Sequence, residues 1–425
     1  MKTIFTLTFL FSVCFMMSAQ TTVTEQVSIG PGYNQHTYYN LEDGSTLSYD
    51  HTIWDIAFGV EGQSFSVFVN EGVGSSMSGA LPEVALFEAL DTDFATVDTA
   101  GMLRIYNDEV SWAEGAFNHV KVDGDPLDLG WGSYDPRSNQ VNSTRLFIIK
   151  LRTDEFKKLE IQSLISGVYT FRYADLDGSN EVTETIVKAD FAGKSLAYYS
   201  FEKGEAQDLE PDSWDMVFTR YTTPLSAGPG VTIDYLLTGV LSGVGVDVVQ
   251  ADGVQPLSVD HEDYVNDYSD TLTIIGHDWK SFDLGTFQWT LPMDRVYFVK
   301  TAAGAIWQIR FIDFEGSSTG VSTLEKTFLA QTTSLNNTYE YAESVDLFPN
   351  PAHDELHIAY DLKSKVSQAT LQIVNPLGQT ISTRVIDNTE GFHVLDLNVS
   401  HLPAGVYHAS LQFGNDHLSK TFSIK

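Results

Sequence analysis

WDIAF, Trp54 to Phe58, has a near copy in WDMVF, Trp214 to Phe218, and the interval between them is the same as that between Tyr38-Tyr39 and Tyr198-Tyr199. Side chains alternate in both stretches. Trp, Ile or Met, and Phe fall on one face and Asp with Ala or Val on the other, the period-two pattern of a half-buried strand. Working outward, YYNLEDGSTLSYDHTIWDIAF from Tyr38 aligns with YYSFEKGEAQDLEPDSWDMVF from Tyr198, and Gly44 matches Gly204. Further along, WGSYD from Trp131 answers WKSFD from Trp279, and RLFIIKLRTDEFKKLEI from Arg145 answers RVYFVKTAAGAIWQIRF from Arg295. The last pair reads as strand, turn, strand in both copies. Landmarks kept in order over such a length mark a duplicated domain rather than a short solenoid repeat. No comparable stretch shows a helical period. The expected fold class is all-β, with two tandem, mainly antiparallel β domains at residues 20–190 and 191–332. The Trp and Tyr-Tyr positions read as core anchors, and Asp55 and Asp215 as structural hydrogen-bonding residues.

Composition narrows the functional classes. With 425 residues, 43% hydrophobic and 12% aromatic, the chain has enough apolar material for two or three cores. A formal charge of −33 excludes nucleic acid as an expected partner, because a phosphate backbone would repel this surface. Residues 1–19, with Lys2, an apolar run from Ile4 to Met17 and small residues Ser18 and Ala19, read as a secretory signal cleaved near Ala19. The single cysteine, Cys14, lies inside that run, so the mature chain is expected to hold no disulfide and no thiolate metal site. The best later apolar stretch, YLLTGVLSGVGVDVV from Tyr235, is broken by Gly239, Ser242, Gly243 and Asp247, and no transmembrane helix is expected in the mature chain.

The order of a Tyr-Tyr strand, a Gly turn, WDIAF, FVNEGVG at Phe68 to Gly74 and an Arg-led hairpin ending in GVYTFRY at Gly167 to Tyr173 resembles the HmuY-like family of secreted Bacteroidetes proteins. The second copy follows this order more loosely and lacks the VNEG string. The resemblance implies an all-β fold and names haem as the ligand to examine. Haem takes axial ligands, usually His or Met, from convergent segments. The candidates are His36, His51, His119, His261 and His277, with Met77, Met102, Met216 and Met293. The duplication does not repeat them: His51 falls where the second copy has Pro211, and His277 where the first has Leu129. No ligand pair is assigned, and the cofactor is left unknown.

Three motifs have a chemical look and a structural reading. GSSTG, Gly316 to Gly320, fits the pattern of a nucleophile elbow around Ser318, but an expected strand follows it in place of the required helix. DLDGSNE, Asp175 to Glu181, has its glycine at the wrong position for an EF-hand loop and reads as a turn. HDELH, His353 to His357, lies in an alternating strand pattern, where that spacing separates the Cα atoms by about 13 Å. No metal ligand and no catalytic residue is assigned, and the chain is expected not to be an enzyme.

After a polar linker, residues 333–345, the composition changes. LFPNPAHDELHIAYDL, LQIVNPLGQTISTRV and LPAGVYHASLQFGNDHLSKTFSIK give the strand and turn rhythm of a compact immunoglobulin-like sandwich over residues 346–425. This segment resembles the type A C-terminal sorting domain of the type IX secretion system. The residues that carry the likeness are Pro349, Asn350, Pro351, Gly378, Gly405, Tyr407 and the closing run from Lys420 to Lys425. The resemblance implies the secretion machinery as a partner and a protein released or displayed at the outer-membrane surface. Together these features point to an exported, non-enzymatic ligand-binding protein, with haem the first ligand to test and a surface glycan-binding or adhesion module as the alternative.

Overall fold

The computed structural model describes residues 21–74, 81–89, 94, 102–331, 341–348, 350–353, 355–375 and 379–424. The leader, Met77, Pro349, Gly378, Lys425 and most of the linker lie outside these residues. The fold is all-β: the described residues form antiparallel strands and short 3-10 turns, with no α-helix among them. No helix among them is long and apolar enough to cross a membrane.

The two WD strands pair across the copies. Leu196–Ser200, which carries the second Tyr-Tyr, lies on Ile56–Gly59, with Tyr198 opposite Ala57 and Tyr199 opposite Ile56. Gln35–Tyr39, with the first Tyr-Tyr, lies on Met216–Gly228, with Tyr38 opposite Val217 and Tyr39 opposite Met216. The aspartates lock both exchanges in the same way. Asp55 N–H donates to Tyr199 O at 2.9 Å, and its Oδ2 accepts from Phe201 N at 2.8 Å. Asp215 N–H donates to Tyr39 O at 2.9 Å, and its Oδ2 accepts from Leu41 N at 2.7 Å. Each buried carboxylate thus satisfies a backbone donor where the visiting strand turns away, a stronger bond than one between neutral groups.

The opening strands follow the same rule. Val182–Val187 pairs with Val168–Asp175, whereas Thr22–Ser28 reaches across the chain to Val321–Gln331, placing Glu25 opposite Leu324. Two modules result. The inner module is continuous, residues 54–207, and its core gathers Phe58, Trp131, Phe147, Tyr169 and Phe171 with Ala197 and Tyr199. The outer module joins residues 21–50 to 214–331, and its core gathers Val27 and Tyr39 with Met216, Phe218, Trp279, Phe311 and Leu324. Each fully buried large side chain contributes roughly 1.5–3 kcal/mol by area removed from water. The boundary expected at 190/191 is therefore corrected. Strand pairing divides the chain near 51–53 and 208–213, because a repeat alignment fixes the period of a duplication and leaves its phase open.

The inner module has an eight-stranded and a four-stranded sheet, the outer one a five-stranded, a four-stranded and a two-stranded sheet. At the outer seam, Ile29 N–H donates to Gly320 O at 3.1 Å. A Cβ on Gly320, at φ +69°, would stand 2.3 Å from Gly30 O, so only glycine lets the two ends of this module meet.

The tail is a separate sandwich. One sheet orders Ala342–Phe348, Glu355–Leu362 and Gly391–Asn398, and the other orders Thr380–Val385, Ala369–Val374, Gly405–Phe413 and Asp416–Ile424. Leu356, Tyr360, Leu371, Leu411, Phe413 and Phe422 fill its core. It rests on the inner module's hairpin, Gly132–Asp135 with Gln140–Ser143. There Phe392 meets the Tyr134 ring at 6.0 Å, and Asn139 Nδ2 donates to Phe392 O at 2.8 Å. The corresponding outer hairpin, Ser281–Asp283 with Gln288–Thr290, has exposed Phe282 and Phe287 at those two positions.

Candidate functional site

The exchange creates a pseudo-twofold junction. Tyr38 and Tyr198, equivalent in the two copies, share a hydrogen bond through their hydroxyls. Trp214 packs edge-on to Tyr38 at 4.8 Å and Trp54 to Tyr198 at 5.0 Å. Trp112 closes one side, donating Nε1–H to Ser242 O at 2.8 Å. Beside this aromatic seam lies a cavity of about 80 Å3, whose lining includes His36, His51, Glu71, Trp112 and Arg220.

The symmetry fails at the cavity. His36 stands on the strand Gln35–Tyr39, opposite Tyr49, whereas the second copy has Leu196 in register at that place. His51 opens the 3-10 turn His51–Ile53, which Asp50 caps by accepting Thr52 N–H at 2.9 Å. Its ring lies against Gly72, where a Cβ would sit 2.0 Å from Nδ1. Asn70 holds this turn from below, donating Nδ2–H to His51 O at 2.6 Å and to Trp54 O at 2.7 Å. Glu71 ties the modules together: its Oε1 accepts from Asn107 N at 2.7 Å and its Oε2 from Thr222 N at 3.0 Å. Arg220 NH1 donates to Gly74 O at 2.6 Å. The VNEG string is thus the hub on which the outer module's long strand docks.

Burial sets the charge states. It pulls the pKa of His36 down to about 3. It also takes His51 well below the usual histidine range, helped by the nearby His36 and Arg220 and opposed by the Gln35 backbone. Both rings are neutral at physiological pH. Burial pushes Glu71 up to about 7 against its backbone hydrogen bonds, and Arg220 down to about 10, where it stays charged. The two imidazoles meet nearly perpendicular, with centroids 6.0 Å apart. Nε2 of His36, both ring nitrogens of His51 and Oγ1 of Thr222 are buried without a hydrogen-bond partner among the described residues. Neutral imidazoles with free nitrogens can accept a hydrogen bond or ligate a metal.

The other haem-ligand candidates do not join this pair. His119 is exposed and bonds Tyr106 O at 2.9 Å. His261 packs on Phe298, and His277 bonds the Tyr221 hydroxyl at 3.3 Å. Met216 is in the outer core, Met102 packs against a peripheral cluster of the inner module, and Met293 is exposed. Sequence reading missed Glu71 and Arg220. Both carried a signal, a charge set inside an otherwise apolar strand context.

Of the three motifs, Ser318 lies in the hairpin loop before Val321–Gln331 and donates its hydroxyl to Glu315 O at 3.0 Å. The Asp175 loop is a turn in which Asn180 Nδ2 donates to Asp175 Oδ2 at 2.7 Å. His357 is on a strand and bonds Asp396 across it at 2.7 Å.

The sorting-segment residues converge on the closing strand. Asn350 Oδ1 accepts from Ser423 N at 2.9 Å and its Nδ2 donates to Thr421 O at 3.2 Å. Ala352 N, just after Pro351, donates to Ser423 O at 2.7 Å. Gly405, Tyr407 and Ala409 stand opposite Ile424, Phe422 and Lys420, and the Tyr407 hydroxyl donates to Pro403 O at 2.7 Å.

Residues 346–425 match the family described as the secretion system C-terminal sorting domain. This tail hands the chain to the type IX secretion system, and the protein is secreted or attached to the cell surface. No curated protein matches the chain. Among solved structures, apo PinO from Porphyromonas gingivitis is 12% identical, with 73% of this chain and 98% of that chain covered and a TM-score of 0.24. A Bacteroides fragilis protein described as a candidate lipoprotein is 16% identical over 38% of this chain and 88% of its own, with a TM-score of 0.16. Dimeric latent PorU from Porphyromonas gingivalis is 9% identical over 92% of this chain and 34% of its own, with a TM-score of 0.18. Likenesses this slight carry no functional argument.

Proposed function

We propose that the part of the chain exported ahead of the sorting tail is a non-enzymatic ligand-binding protein of the cell surface or medium, and that its ligand is taken at the junction of the two modules by His36 and His51. One observation carries this reading: two neutral imidazoles, His51 fully buried and His36 half-buried with its Nε2 atom shielded from solvent, face a cavity with unpartnered ring nitrogens. Leaving such groups unsatisfied costs about 1–3 kcal/mol each, a cost that a ligand offsets when it binds. Trp112, Trp54 and Tyr198 give the cavity a largely apolar, aromatic wall.

Haem, the ligand implied by the HmuY-like order of motifs, would use this pair as axial ligands. The cavity, about 80 Å3, is well below the roughly 300–1,000 Å3 of pockets that enclose larger organic ligands. Haem binding therefore requires the His51–Ile53 turn to part from Asn70–Gly72. Titration of haemin into the full chain, followed by Soret absorbance, tests this. A saturable one-to-one shift lost in both His36→Leu and His51→Phe supports haem at the junction, and adsorption that ignores both substitutions removes it. The glycan alternative looks to exposed coplanar aromatics. The exposed Phe282 and Phe287 rings are instead inclined at 71°, which gives a sugar ring no flat platform.

A further inference from the structure

We infer that His36 and His51 hold a single monovalent copper ion between their Nε2 atoms. The inference rests on the junction reading above and names the chemistry of its ligand. It begins with distance. An imidazole nitrogen lies about 1.1 Å from its ring centroid and metal–nitrogen bonds are about 2.0 Å, so two rings joined near-linearly through one ion have centroids roughly 6 Å apart. The observed separation is 6.0 Å with the planes at 89°, and linear coordination leaves the twist between the rings free.

The surroundings choose the nitrogens. His36 Nδ1 lies 3.1 Å from Thr219 Oγ1. That hydroxyl donates onward to Arg220 O at 3.4 Å, so it accepts from His36 Nδ1–H. That arrangement, which the inference requires, leaves the Nε2 lone pair of His36 free, as outer partners of metal-bound histidines do. The Nδ1 edge of His51 is pressed on Gly72, which leaves its Nε2 for the cavity.

The choice of ion follows from charge and ligand count. Glu71, Asp108 and Glu109 line the cavity, but the Arg220 guanidinium stands near His51 and disfavours added positive charge there, so an ion of the lowest charge is preferred. Among the described residues no three His, Cys, Asp or Glu side chains come together to hold a metal, and both Glu71 oxygens already accept backbone N–H groups. A divalent ion would keep its full charge beside two neutral ligands in a desolvated site, at high cost. Copper(I) has a filled d shell and is satisfied by two nitrogens. Neutral rings need lose no proton to bind it, so its retention changes little across the neutral range.

The test is an anaerobic titration of the full chain with copper(I) against a chromophoric copper(I) chelator, with X-ray absorption of the loaded protein. The expected result is one ion per chain, a two-coordinate nitrogen spectrum, and affinity reduced by about 100-fold in His36→Leu and His51→Phe but not in His119→Ala. No retention against the chelator, a four-coordinate spectrum, or full retention in both junction variants overturns the inference. The spectrum of the unsubstituted protein decides the matter if a variant fails to fold. A haemin shift that needs the histidines, without copper retention, removes the ion and leaves the junction reading. Failure of both ligands removes both.

Discussion

At the scale of single residues, the junction links stability to acidity with two opposing signs. His36 and His51 bind fewer protons folded than unfolded, so their contribution is present above about 6.5 and is lost as pH falls toward about 3. Glu71 binds more protons folded, so its contribution is full below about 4.5 and is lost as pH rises through about 7. Between these limits two histidines oppose one carboxyl. His36→Leu, which installs the residue of the other copy, should flatten the acid limb by about 1.4 kcal/mol per pH unit for the one proton removed. Urea midpoints measured from pH 4 to 7 check it, and an unchanged slope would show that His36 is not buried neutral. Gly72→Ala should cost roughly 1–3 kcal/mol by overpacking against His51, seen as a lower urea midpoint at constant m-value.

At the scale of elements, Asp55 and Asp215 make equivalent contacts in different modules, so their substitutions separate the modules. Asp55→Ala should lower the stability of the inner module and Asp215→Ala that of the outer one, each by roughly 1.5–3 kcal/mol. Calorimetry that resolves two transitions should show one shift in each variant; a common shift would mean that the modules unfold as one unit. The same elements mark what the sequence made legible. Strand alternation around Trp54 and Trp214, the hairpins after Arg145 and Arg295 and the tail's turns were readable because period-two patterning and Gly or Asn turns are local signals. Partner choice was not readable, since Tyr38 fits Val217 as well as Tyr198 fits Ala57 and nothing local says which copy each strand will join. The proposed pair could not be assigned from sequence for a related reason. His36 and His51 are ordinary histidines in sequence, and only the exchange buries them on one cavity beside Gly72.

For the whole molecule, the permuted boundary gives a direct test by dissection. A fragment spanning residues 52–210 carries every strand of the inner module and should fold alone. Residues 191–331, the second copy of 191–332 less its last residue, lack the strands Thr22–Ser28, Gln35–Tyr39 and Thr46–Asp50 that complete the outer sheets. That fragment should be unfolded or aggregated, and joining residues 21–50 to 211–331 through a flexible linker should restore it. Amide exchange and circular dichroism read the outcome, and a stable 191–331 fragment would refute the exchanged pairing.

The seam between Thr22–Ser28 and Val321–Gln331 also decides how the protein responds to force. Thr22 is opposite Thr327 and Ser28 opposite Val321, so a pull applied at residues 21 and 331 enters at the same edge of the ladder. The load then falls on one rung at a time, and the strand peels rather than shears. The next strand in line carries His36, so peeling that draws Val27 out of the outer core runs on toward the cavity. Under the proposed ligand-binding role, retention at the junction would then fall with tension.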